Sequence, residues 1–333
     1  MRQPMDRNLA FELVRVTEAA ALAAARWMGR GNREAADQAA VDAMRFALQS
    51  VGMDGVVVIG EGEKDEAPML YNGEHVGTGV EPAVDVAVDP VDGTTLLANG
   101  LPNAISAIAL AERGALYNPK SIFYMNKIAV GPAAKGAIDI NAPVAENLRN
   151  IAKAKRYHVE DLTVVVLDRE RHKQLIADIR EAGARIKLIA HGDIAGGLMP
   201  ALEDTGVDVL MGIGGAPEAV VTACAMKSIG GEMQCKPWPR NEEDRKQGAH
   251  LGVDFEKVLT IDELVGGEDS FFAATGVTSG ELLHGVTYSS SGAHTHSLVM
   301  RARSGTVRII QSNHNFEKLM QITSLPYQDG RGY

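Results

Sequence analysis

From Thr163 onward the chain alternates short β-branched runs with helical stretches, and this rhythm limits the fold more than any other feature. Thr163–Leu167, 184–190, Val207–Ile213 and 231–236 read as strands, with helices expected over 170–182, 194–204 and 217–229. Buried strands separated by single helices need crossover connections, and those are right-handed. The pattern predicts an α/β fold with a parallel, wound sheet in this part of the chain.

Upstream the periodicity is helical first. Leu9, Leu13, Val16, Ala20, Ala24 and Trp27 recur on one face of a helix over 8–29. Val41, Met44, Leu48 and Val51 mark a second over 34–50, and Asp37 lies one turn before Val41 on the same inward stripe. Strands are expected at 56–59, 84–88, 104–111 and 134–140. The charged run Arg240 to Gly248 reads as a solvated loop. The segment after 270 reads as β-rich with a hairpin at Ser304-Gly305, and 328–333 as a fraying end. A boundary near 145–155 would divide a first subdomain, 1–150, from a second, 151–333.

Charge narrows the partners. The 333 residues carry 33 Lys and Arg against 43 Asp and Glu, a formal charge of −10. Nucleic acid and anionic membranes need a cationic face, so neither is an expected partner. A small anionic ligand is compatible, because local cations can reverse the sign within one cleft. Arg2, Asp6, Arg7 and Glu12 interrupt any signal-peptide core, and no apolar run approaches the roughly 20 residues of a membrane span. Cys224 and Cys235 cannot make a disulfide framework and suit a reducing compartment. A soluble cytoplasmic protein is expected.

Ligands in open α/β sheets gather beyond the carboxyl ends of the strands. There the sequence places Glu61 and Glu63, then Asp89, Asp92 and Thr94, then Arg169 and Arg171, then His191 and Asp193, then Gly215 and Glu218. Asp89-Pro-Val-Asp92-Gly93-Thr94 is the sharpest of these sets. It reads either as an Asx-type turn or as a cation site, with two carboxylates three residues apart and a hydroxyl at a helix start. Oxygen-only donors favour Mg²⁺ or Mn²⁺. Gly60-Glu61-Gly62-Glu63 alone is an acidic turn. Together with Asp37, Asp89 and Asp92, however, Glu61 makes a plausible two-metal acidic site. Arg169 and Arg171 are surface charge or a phosphate fork. Glu218 complements a helix dipole or adds to the acidic set. His294 and His296 read as structural, and Cys224 as core. No P-loop, Gly-x-Gly-x-x-Gly or Gly-x-Ser-x-Gly is present, which counts against nucleoside-triphosphate, dinucleotide and serine-hydrolase chemistry.

Taken in order, several widely spaced segments resemble the class II fructose-1,6-bisphosphatases, the bacterial type related to lithium-sensitive, metal-dependent phosphatases. They are Trp27-Met-Gly-Arg-Gly31, Ala36-Asp37, Val58 to Glu63, Ala67 to Tyr71, Val88 to Thr94, Phe123-Tyr-Met-Asn-Lys127, Arg169 to His172, Gly192-Asp193 and Gly212 to Glu218. The resemblance implies a layered αβαβα sandwich of the inositol-monophosphatase and sugar-phosphatase kind. It implies two divalent cations, Mg²⁺ or Mn²⁺, with Asp37 and Glu61 matching the ligands of one and Asp89, Asp92 and Glu218 those of the other. Thr94 matches the hydroxyl beside the attacking oxygen, so Thr94, Glu61 and Asp89 are the expected catalytic residues. Asp92, Gly93, Thr94, Tyr124, Arg169, Arg171, His191, Asp193 and Gly215 match substrate contacts. The implied reaction is hydrolysis of the 1-phosphate of fructose 1,6-bisphosphate, a gluconeogenic step, in a homo-oligomer (dimer or tetramer). Sedoheptulose-1,7-bisphosphatase activity, an inositol-monophosphatase-like enzyme and a non-catalytic sugar-phosphate sensor are the alternatives. The chain departs from the family pattern at His191, where Asp is common, at Arg169, where Lys also occurs, and at Glu170, which replaces an expected Pro.

Overall fold

The computed structural model describes residues 8–62, 69–119 and 122–319. Two helices open it, α1 (Ala10–Ala24) and α2 (Arg33–Leu48). Asn32 caps α2, its side chain accepting the Ala35 amide at 3.0 Å. Alanines 10, 20, 21 and 24 are buried along α1, so the helix lies close against α2 and the sheet beneath.

β1 (Asp54–Ile59), β2 (His75–Val76) and β3 (Ala83–Asp92) follow, then the one-turn α3 (Thr94–Ala98), β4 (Ile105–Glu112) and β5 (Tyr124–Val130). Next come α4 (Val144–Lys155), β6 (Thr163–Leu167), α5 (Lys173–Glu181), β7 (Arg185–Ile189), α6 (Asp193–Leu198) and β8 (Val209–Gly215). α7 (Ala216–Ile229), β9 (Glu232–Trp238), α8 (Glu242–His250), β10 (Leu259–Thr260) and α9 (Ile261–Leu264) lead to β11 (Ser270–Gly276), β12 (Thr287–Tyr288), β13 (Gly292–Arg301) and β14 (Thr306–Asn315).

Among the described residues the strands form two sheets. One has eight strands in the order β12-β13-β11-β4-β3-β1-β2, with β14 on β13; the other has six, β10-β9-β5-β8-β6-β7. The first takes residues 54–112 and 270–315, the second 124–260. Three apolar clusters separate the layers. α1 and α2 cover one face of the larger sheet through Val84, Val86, Ile108 and Val299. α7 fills the space between the sheets, touching Ala107 and Phe272 on one side and Met125 and Leu210 on the other. Ile128, Val164 and Val209 face α4 and α5 on the far side of the smaller sheet. The result is a layered α/β sandwich of helices, sheet, helices, sheet and helices. α7 is apolar nearly all round because it is buried on both sides.

Most expected elements appear within a few residues of their predicted limits, including the antiparallel β13–β14 hairpin across Ser304-Gly305. Five expectations are corrected. The second sheet is mixed rather than wholly parallel: β6 pairs parallel with β7 and β8, but β5 runs antiparallel to both β8 and β9. β5 comes from the first half of the chain and inserts between strands that follow one another in sequence, which local periodicity cannot reveal. Residues 134–140 are not a strand. The strand is Tyr124–Val130, whose Asn126 and Lys127 disguise it, and Pro132–Ala134 form a 3₁₀ turn after it. The charged run after Arg240 is helical: Asn241 accepts the Asp244 amide at 2.8 Å, Arg240 pairs with Asp244, and Gly248 is buried against Phe255. Helix α1 also stops at Ala24, with Ala25–Trp27 tightening to 3₁₀, and α6 is shorter than 194–204. Glu63, Ala67, Pro68 and the 328–333 end lie outside the described residues.

Candidate active site

The carboxyl ends of β1, β3, β6, β7 and β8 converge on one cavity of about 420 Å³. The structure brings every sequence-predicted site residue to its lining. The acids Asp37, Glu61, Asp89, Asp92 and Glu218 line it with Gly93 and Thr94, and so do Tyr124, Arg169, Arg171, His191, Asp193 and Gly215.

Local chemistry explains each position. β3 delivers Asp89 and then bulges, its pairing with β4 shifting register between Asp89 and Asp92. The bulge re-aims the two acids. Gly93 follows at φ +93°, a left-handed turn into α3, and the Thr94 hydroxyl donates to the Val91 carbonyl at 3.4 Å. Asp92 is buried, and its Oδ2 accepts the amides of Ile194 at 2.9 Å and Ala195 at 3.4 Å at the start of α6. Glu61 is held from behind: its amide donates to Leu70 O at 2.9 Å, and the Gly60 amide to Asn72 Oδ1 at 3.0 Å. Glu74 in turn accepts the Leu70 amide and the Arg45 guanidinium, which ties this loop to α2, the helix of Asp37.

The acids repel one another. Burial, reinforced by Asp37, pushes Glu61 up to about 8. Burial together with Glu218 and Asp193 pushes Asp92 up to about 7, against the lowering effect of its two backbone hydrogen bonds. Burial raises Asp89 as well, and its carboxylate neighbours Asp92, Glu218, Glu61 and Asp37 add to the shift. Asp37 and Glu218 are also raised, chiefly by burial, and Arg33 and Lys127 partly relieve them. A buried carboxylate needs a cation or a proton. Hard oxygen donors with unbalanced negative charge fit divalent cations. Among the described residues no three of these side chains already form a tight coordination group; they surround the cavity instead.

The cavity lining is also cationic and aromatic. Arg171 lies over the Tyr124 ring at 4.8 Å, and its Nε and Nη2 donate to Ile213 O at 3.3 and 2.8 Å. Arg169 Nη2 donates to His191 Nδ1 at 3.2 Å, which requires a neutral imidazole; burial and the nearby Arg169 and Arg33 hold His191 below its ordinary range. Glu170, between the two arginines in sequence, turns outward and pairs with Lys173 at 2.6 Å, so it does not line the cavity.

Two residues without an assigned role in the sequence matter here. Arg33 lines the cavity from the first turn of α2. Its signal was its spacing, one helical turn before Asp37. Lys127 is buried in β5, paired with Asp193 and donating to Gly215 O at 3.1 Å. Burial would lower its ammonium, but Asp193 and Glu218 more than offset that and raise it. Unpaired, a buried lysine would be unusual, so the motif Phe123 to Lys127 held the clue. Gly214 and Gly215 leave room for carboxylates: a Cβ would lie 2.0 Å from Asp193 Oδ2 at the first and 1.7 Å from Glu218 Oε2 at the second.

His294 and His296 do not approach the cavity lining. His294 Nδ1 contacts Asn313, and the His296 ring lies 4.9 Å from that of His284. Both cysteines are free and buried. No helix among the described residues is long and apolar enough to cross a membrane.

Fold and site define a two-sheet α/β protein with an acid-and-arginine cavity at the strand ends. Residues 7–314 match the family described as bacterial fructose-1,6-bisphosphatase, glpX-encoded. The chain is 44% identical over 327 residues to fructose-1,6-bisphosphatase 1 class 2 of Escherichia coli (strain K12), covering 94% of this chain and 97% of that protein. The same identity and coverage hold for the class 2 fructose-1,6-bisphosphatase of Shigella flexneri. The chain belongs to the bacterial class 2 fructose-1,6-bisphosphatase family.

Proposed function

We propose that the protein hydrolyses the 1-phosphate of fructose 1,6-bisphosphate, giving fructose 6-phosphate and phosphate. The observation that carries this reading is the meeting, in one cavity, of a set of carboxylates and an arginine pair. A bisphosphate offers one end to each. The family membership and its named relatives support the substrate. In this reading the fold is the inositol-monophosphatase kind of sandwich, and the enzyme works as a homo-oligomer.

Asp37 and Glu61 would hold one divalent cation, and Asp89, Asp92 and Glu218 a second, Mg²⁺ or Mn²⁺ in each place. Bound there, the cations supply charge neutralisation for the scissile phosphate and a more acidic water. The chain does the rest. Thr94 donates its proton to Val91 O, which leaves its oxygen lone pairs for the reacting centre. Arg169 and Arg171 take the distal phosphate, Arg171 with the donors that Ile213 O leaves over. Asp193 and neutral His191 contact sugar hydroxyls. Holding the far phosphate fixes the near one for in-line attack.

Phosphate release from fructose 1,6-bisphosphate tests this. It is run with Mg²⁺, with Mn²⁺ and with chelator, beside sedoheptulose 1,7-bisphosphate and inositol 1-phosphate. Cation-dependent release favouring the fructose ester is expected. Preference for the sedoheptulose ester would move the substrate, and binding without release from any ester would reduce the protein to a sugar-phosphate sensor. Arg171→Ala should raise KM about tenfold or more and change kcat little, as loss of a charged hydrogen bond does.

A further inference from the structure

His172 stands where β6 and β8 separate. The two strands pair only at Val164–Val209 and Val165–Leu210, and nearer the cavity the imidazole takes the place of the backbone ladder. Its Nδ1 lies 2.6 Å from Leu167 O, and its Nε2 2.7 Å from the Ile213 amide. An amide only donates and a carbonyl only accepts. The ring must therefore be neutral, protonated at Nδ1 and bare at Nε2. Gly212 keeps the space open at φ +133°: a Cβ there would lie 3.0 Å from Nε2. The backbone of Ile213 is thus held on both sides of its Cα, its N–H by His172 and its C=O by Arg171.

We infer that His172 is a positioning residue for substrate affinity: by bridging Leu167 and Ile213 it fixes the carbonyl that aims the Arg171 guanidinium into the cavity. The inference rests on the reading of Arg171 as a distal-phosphate group. Burial keeps the imidazole below its ordinary range and Arg171 and Arg169 add to this, while the Leu167 hydrogen bond and Asp193 oppose it. A protonated ring would turn an N–H against the Ile213 N–H and release the Ile213 backbone. Its hydrogen bonds go to Leu167 and Ile213 and not to Asp37, Glu61, Asp89, Asp92 or Glu218, so its effect falls on affinity rather than on the bond-breaking step.

The test is steady-state kinetics of the metal-loaded enzyme and of His172→Ala, His172→Gln, Arg171→Ala and the His172→Ala/Arg171→Ala double variant. Fructose 1,6-bisphosphate is compared with fructose 1-phosphate, which lacks the distal phosphate. His172→Ala should raise KM for the bisphosphate about tenfold with kcat within about twofold, and leave the monophosphate unaffected. The double variant should be no worse than Arg171→Ala, and His172→Gln, which keeps a donor and an acceptor, should recover part of the loss. Additive losses, or an equal loss on both esters, would overturn the inference. If Arg171→Ala leaves KM for the bisphosphate unchanged, the distal-phosphate reading itself fails; if Arg171→Ala raises it and a folded His172→Ala does not, only the role of His172 fails. Should His172→Ala not fold, nitrogen-15 spectra of the unaltered protein decide. A neutral Nδ1–H ring is expected to persist below the pH at which an ordinary histidine takes up its proton, and a ring that charges like an ordinary histidine would overturn the inference.

Discussion

The Oδ2 oxygen of Asp92 accepts the Ile194 amide at 2.9 Å, so the end of β3 in the larger sheet is fastened to the first turn of α6, which packs against the smaller one. One carboxylate therefore carries two duties: an acceptor that joins layers and a charge that faces the cavity. The duties separate by substitution. Asp92→Asn keeps an acceptor and loses the charge, and should melt at or above the temperature of the unaltered metal-free protein. Asp92→Ala should lose about 1–3 kcal/mol of stability. Both should lose phosphate release. Equal melting of the two variants would show that the acceptor does not fasten α6.

The acidic wall should make the metal-free protein pH-sensitive. Glu61, raised to about 8, and Asp92, raised to about 7, hold protons in the folded state that the unfolded chain has released. A raised folded-state pKa contributes stability at low pH that is lost as pH rises through it. The chelated protein should melt higher at about pH 6.5 than at about pH 8.5, and a bound divalent cation should erase the difference. Below the ordinary histidine value of 6.5 the trend should weaken, because His172 and His191, both lowered, resist protonation in the fold. A chelated melting temperature that is flat or rising with pH between these values would contradict the assignment.

Lys127 and Asp193 are a buried pair, with side chains 2% and 9% exposed. Lys127→Met leaves the Asp193 carboxylate without its cation and should cost about 3–5 kcal/mol of unfolding free energy. Adding Asp193→Asn should recover part of that loss, because the stranded charge is gone. Denaturant melts of the two single variants and the double variant measure the coupling; strict additivity would deny it.

Gly215→Ala probes the close approach of Glu218. The added Cβ would lie 1.7 Å from Glu218 Oε2, so the carboxylate must move. A displacement of that size should lower kcat about a hundredfold. Cation affinity should fall with it, measured by titration calorimetry. Unchanged cation binding would remove Glu218 from the proposed ligand set.

Much of this was legible in the chain. The strand ends after 56–59, 84–88, 163–167, 184–190 and Val207–Ile213 place polar residues on the cavity, because parallel strands within each sheet point their carboxyl ends the same way; that the two sheets aim at one cavity is a matter of packing. Asp37 was legible as an acid on an apolar stripe. β5 was not, since its Asn126 and Lys127 break the apolar run, and Lys127 is tolerated only because Asp193 from another part of the chain meets it. The helix after Arg240 was hidden for a different reason: its stability comes from the Asn241 cap and a local ion pair rather than from an apolar face.

The sequence by itself determined the elements with strong local period, the turns that follow the strands and the kinds of side chain those turns present. These depend on residues only a few positions apart. Tertiary structure alone decided that β5 would enter the second sheet antiparallel, that α7 would lie between two sheets, and that Lys127 would meet Asp193. It also decided that Asp92 would cap α6 and that His172 would bridge Leu167 to Ile213. Buried charges and polar groups are tolerable only where a partner satisfies them, and those partners are brought by packing from elements remote in sequence.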